Sequence, residues 1–175
     1  MTFRKSLKYT LVLIASVCCL NVSQIGGQQQ RGPSTAEERA RAVRIAKALR
    51  SDPLSDSNTK DREWLVRWLI EIPDISVKLC GGLLGDLGDS KKSPYPGALL
   101  ATMMASQAAF VIENPRKAKD NNAIYLAGIE GALDAYQVIH SKDSSFQAKQ
   151  LDEFVQKQSE GKLTESVKSA TKKCK

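Results

Sequence analysis

The chain is expected to be all-α: a single compact bundle of six to seven short helices around a central uncharged helix, its C-terminal helix clamped by a disulfide. Three observations predict this. Apolar residues recur at spacings of three and four in segment after segment, and no stretch sustains alternation of period two. The fifteen residues from Ala98 to Ile112 carry no charge. Beyond the first 27 residues only two cysteines remain, Cys80 and Cys174.

Length and composition are consistent with that class. The 175 residues, 42% of them hydrophobic, suffice for one domain with a continuous core. Arg4, Lys5 and Lys8 precede the uncharged run Tyr9 to Leu20, which is too short to cross a bilayer comfortably. This pattern reads as a cleaved secretory signal peptide, 1–27. Cys18 and Cys19 would take a lipid only in a poor version of a lipoprotein signal, since Val17 stands before them. Removal of the signal lowers the net charge from +7 to +4 and places the mature chain in the periplasm or outside the cell. So small an excess gives no reason to expect a nucleic-acid partner.

In an oxidising compartment an isolated cysteine pair is most simply a bridge. Joining Cys80 to Cys174 closes a loop of about 95 residues and ties the chain end to its middle.

The elements then follow in order. Residues 28–33 form a polar, mobile lead-in to the helical domain 34–175. Ser34 and Glu37 have capping-box spacing, and the helix they open runs to about Arg50 with Ala36, Ala40, Val43, Ala46 and Leu49 on its inner stripe. Asp52-Pro53 and the polar run after it make a turn. The next helix, from Thr59 or Lys60 to Ile72, sets Trp64, Leu65, Trp68, Leu69 and Ile72 on one face. Pro73 stops it, and Asp74 is placed to cap a following glycine-interrupted helix, Ile75 to Leu87. Its glycines match no phosphate-binding pattern. Asp89 to Gly97 is a loop.

The uncharged helix Ala98 to Ile112 comes next, apolar on nearly every side and therefore central. Asn114-Pro115 ends it. A long helix from about Asn122 to His140 carries Tyr125, Leu126, Ile129, Leu133, Tyr136 and Val138, with Gly128, Gly131, Ala132 and Ala135 admitting a close neighbour. Phe146, Leu151, Phe154 and Val155 mark another helix stopped by Gly161, and Leu163, Val167 and Ala170 a last one leading to Cys174.

Candidate chemistry is sparse. The single histidine, His140, sits at a helix end without a second ligand, so no metal, cofactor or His-based catalysis is expected. Glu130 and Asp134, four apart, read as a solvated face. Trp64, Trp68, Met103, Met104 and Phe110 are the candidate ligand-pocket or core residues. The stretch Tyr125-Leu-Ala-Gly-Ile-Glu-Gly-Ala and the terminal helix ending in cysteine resemble small exported immunity proteins that neutralise wall-cutting toxins. That resemblance covers about a third of the chain, lacks the cysteine expected near the start of the motif, and implies a helical, disulfide-bonded protein. The function expected is a non-catalytic protein-interaction module of the cell envelope or secreted space, working with a protein partner or by self-association. The alternative is a carrier for a small apolar ligand held within the bundle.

Overall fold

Residues 31–85, 93–172 and 174 are described by the computed structural model, and over them the chain is all-helical with no β-strand. The expected signal segment, Cys18 and Cys19, and part of the expected 89–97 loop lie outside the described residues. Six helices of nine residues or more follow in order: α1 (Ala36–Ser51), α2 (Thr59–Glu71), α3 (Pro96–Glu113), α4 (Asn121–Lys142), α5 (Lys149–Ser159) and α6 (Leu163–Thr171). A four-residue helical turn, Gly81–Leu84, lies between α2 and α3.

The start of α1 differs from expectation by one residue. The Thr35 hydroxyl accepts the Glu38 N–H at 3.2 Å, and the Glu38 carboxylate accepts the Thr35 N–H at 2.9 Å, closing the capping box there. Ser34 is taken by Asp74, whose carboxylate accepts both the Ser34 N–H at 2.8 Å and its hydroxyl at 2.7 Å. Asp74 therefore ties down the entry to α1 and caps no following helix. Arg31 pairs with Glu38 and Glu71 across the same region. The buried face of α1 is also rotated from the expected stripe, to Ala42, Ile45, Ala46 and Leu49, leaving Ala36 and Ala40 exposed. Burying Ile45 removes far more apolar surface from water than burying either alanine.

The largest departure lies between Ile75 and Cys80, where the expected helix is absent and the backbone is irregular. Gln107, a fully buried residue of α3, accounts for it. Its Oε1 accepts the Lys78 N–H at 2.6 Å, and its Nε2 donates to the Lys78 carbonyl at 2.9 Å. A side-chain amide thus supplies both partners that a helix would have supplied from its own backbone. Only Gly81–Leu84 turns helically; Asp86 and Leu87 lie outside the described residues.

Helix α3 is buried on nearly all sides because it separates two cores. Leu99 and Met103 face one core, with Ile129, Leu133 and Tyr136 of α4, Leu151 and Phe154 of α5, and Leu163 and Val167 of α6. Ala101, Ala105, Ala108 and Val111 face the other, with Ala42, Ile45 and Leu49 of α1 and Leu65 and Trp68 of α2. The most extensive helix contact is α3 with α4, followed by α1 with α3. Phe146, ahead of α5, meets Tyr95 and Tyr136 edge-on at centroid distances of 5.2 and 5.6 Å. Gly161, with φ of +71°, ends α5 as expected; its N–H donates to Gln158 and the Lys162 N–H to Lys157. Cys80 and Cys174 form the expected disulfide, with Cα atoms 5.5 Å apart.

The small residues of α4 are used for close approach. A β-carbon at Gly131 would lie 1.9 Å from the Ser106 hydroxyl oxygen and 2.5 Å from its Cβ; one at Gly128 would lie 2.6 Å from the Gln107 amide nitrogen. Gly131→Ala is therefore expected to destabilise the protein by about 1–3 kcal/mol, despite alanine's better helix propensity. The double variant Ser106→Gly with Gly131→Ala moves the side chain to the other helix and should recover much of that loss in denaturant unfolding. Equal stability of Gly131→Ala and the parent would contradict the packing.

Candidate functional site

The five residues singled out by sequence do not line one cavity. Trp68 is 2% exposed in the α1–α2–α3 core, and partly buried Trp64 and Phe110 pack against that core. Met103 is 2% exposed in the other core, across α3, and Met104 is partly buried. What the structure does bring together is the tryptophan pair, stacked with centroids 5.4 Å apart and planes at 15°. The Arg41 guanidinium lies 4.1 Å from the centre of the Trp64 ring while it bonds Asp61 at 2.8 Å. This joins α1 to the inner side of α2. His140 is exposed, and its Nδ1 lies 2.9 Å from the Phe146 carbonyl, an arrangement in which the ring donates. Among the described residues no three His, Cys, Asp or Glu side chains converge on a metal-sized site. No helix there is long and apolar enough to cross a membrane.

A cleft of about 160 Å³ lies between α1, α3 and α4, with Arg50 and Lys47 on one side and Glu113 and Glu130 on the other. Asp134 is bonded by the Arg50 Nε at 2.7 Å. Glu130 is partly buried, so it is not the freely solvated acid its spacing suggested. Burial pushes its carboxyl above the ordinary value of 4.5; Arg50 opposes the shift and Asp134 adds to it. A raised folded-state value means a contribution fully present below the unfolded value and lost as pH rises through the folded one. Glu130→Gln should therefore be more stable than the parent at neutral pH, with the gain vanishing below the ordinary carboxylate range. Thermal melts across pH 3–8 check this; a gain constant with pH would assign it to packing instead.

Among the described residues, the one large apolar side chain on a helix that is left strongly exposed is Ile70, at 78%. It projects from the outer face of α2, opposite Leu65 and Trp68. Glu63, Val66, Arg67 and Ile70 recur at i, i+3, i+4 and i+7 and so form one stripe. Beside the stripe runs an open groove of about 540 Å³, floored on α3 by Gly97, Ala98 and Ala101. A β-carbon at Gly97 would meet nothing within 4 Å, which shows how little fills that floor. The helix presenting the stripe is held from several directions. Arg62 donates to the Pro53 carbonyl at 2.8 Å and the Thr59 hydroxyl at 2.9 Å, and Arg41, Asp61 and the tryptophan stack hold the other side. The sequence pattern singled out the inner face of α2 and passed over this outer one. An isoleucine two residues beyond Trp68, off the buried face, was the signal available.

No protein-family model, curated protein or solved structure matches this chain.

Proposed function

We propose that the protein is an exported, non-catalytic protein-interaction module that docks through the outer face of α2. The observation that carries this reading is the exposure of Ile70, 78%, beside an unfilled groove on a helix whose opposite face is locked into the core. Leaving an isoleucine in water forgoes burial worth about 1.5–3 kcal/mol, which a partner covering it would recover. Held rigidly, the face costs little to order on binding. Export is supported by the signal-like first 27 residues, and the Cys80–Cys174 bridge fits an oxidising compartment.

The test is a photo-crosslinking amino acid placed at Ile70, with a control at exposed Thr164 on α6, in protein expressed with its own leader. A discrete adduct from position 70 and none from position 164 is expected. Folded protein that gives no adduct at 70 would overturn the proposal.

A further inference from the structure

Resting on the reading of α2 as the docking face, we propose that its occupant is a second copy of the same chain, paired antiparallel along α2 about a two-fold axis. The stripe is self-complementary. It carries two apolar residues, Val66 near its centre and Ile70 at one end, with one acid, Glu63, at the other end and one base, Arg67, between them. Both charged residues are exposed, and neither forms an ion pair with any described residue. Asp61, on the same helix, is by contrast paired with Arg41 at 2.8 Å. Glu63 stands four residues before Arg67, an arrangement that favours a pair within the helix, yet the two side chains remain apart.

A two-fold interface sets residue i against j and j against i. With the axis between Val66 and Arg67, Ile70 of each copy comes level with Glu63 of the other and enters the groove beside Ala98 and Ala101. Arg67 then lies about 4.5 Å along the helix axis from the facing Glu63, three residues at the helical rise and within reach of an arginine. Each pairing occurs twice, so two glutamate–arginine pairs lie on either side of the axis and the two isoleucines sit at the ends of the contact, level with the facing glutamates. The same stripe set parallel, in register, would place Glu63 against Glu63 and Arg67 against Arg67. Charge thus selects the antiparallel arrangement. Arg62, the other base on the groove, is occupied by the Pro53 carbonyl and Thr59.

The experiment is sedimentation velocity on the disulfide-bonded mature chain over a concentration series, with E63R, R67E, the double variant, and an equimolar mixture of the two single variants. The parent is expected to pass from monomer to dimer with concentration. Each single variant sets like charges together at both contacts and should weaken association by about tenfold or more. The mixture restores opposite charges at both contacts, as does the double variant, and both should dimerise again. Thermal melts matching the parent confirm that these surface variants fold. A monomer at every concentration, or a dimer unchanged by the single variants, would overturn the inference. If the parent is monomeric while position 70 crosslinks to a different protein, the second copy is wrong and the docking face stands. If position 70 crosslinks to nothing, both fall.

Discussion

Replacing both bridge cysteines, Cys80→Ser with Cys174→Ser, is expected to lower the unfolding free energy by about 4 kcal/mol. The bridge spans 94 positions of sequence. Cross-linking ends so far apart removes about 4–5 kcal/mol of conformational entropy from the unfolded chain in the loop-closure treatment. Since most of the effect acts on the unfolded state, the variant should also show a steeper denaturant dependence, because its unfolded chain exposes more surface. The bridge has a local role as well. It holds the Gly81–Leu84 turn against α6, whose inner face is only Leu163 and Val167. Urea unfolding of the parent, the reduced parent and the double variant measures both effects. A loss below about 1 kcal/mol with unchanged slope would mean that packing alone fixes the chain end.

Gln107→Leu is expected to cost about 2–4 kcal/mol through a different mechanism. Leucine is close in size and apolar, so the volume of the core is nearly kept. What is lost is the pair of hydrogen bonds to Lys78, leaving a backbone N–H and a carbonyl without partners at about 1–3 kcal/mol each. The denaturant slope should stay constant, which separates this variant from the cysteine double variant. Hydrogen exchange at the Lys78 amide should speed up well before the core amides of α3 and α4 do. Gln107→Glu is a sharper probe. It keeps an acceptor for the Lys78 N–H but turns a second oxygen toward the Lys78 carbonyl, so it should be destabilised most where the carboxyl is ionised. Protection of the Lys78 amide unchanged in Gln107→Leu would rule out the clip.

The two devices act on adjacent stretches of one segment. Asp74 fastens it to the start of α1, Gln107 grips it at Lys78, and the bridge pins it at Cys80. The segment begins where α2 ends, so together they fix the position of the helix that carries the exposed stripe. The proposed docking through α2 would draw on such support, because any play in the helix would have to be removed on binding.

The helices themselves were legible in the sequence because each has a short-range cause. Spacing of apolar residues marks α2, α4 and α5, absence of charge marks α3, and Gly161 and Asn114-Pro115 punctuate the ends. The bridge was legible because only two cysteines, Cys80 and Cys174, stand outside the signal-like first 27 residues. The glycines of α4 announced a close neighbour, though not that Ser106 and Gln107 would fill the space above them. Other features depended on residues far apart in sequence, and local pattern contains no information about them. Asp74 took Ser34 from its expected cap across 40 positions, and Gln107 reached back 29 positions to unwind an expected helix. Glu130 looked solvated until Arg50, Asp134 and the wall of α3 enclosed it. The candidate site was least legible of all. Sequence pointed to the buried tryptophans because large apolar side chains at helical spacing are conspicuous. Which apolar residue stays uncovered is decided only when every other helix has chosen its neighbours, and on α2 that residue is Ile70.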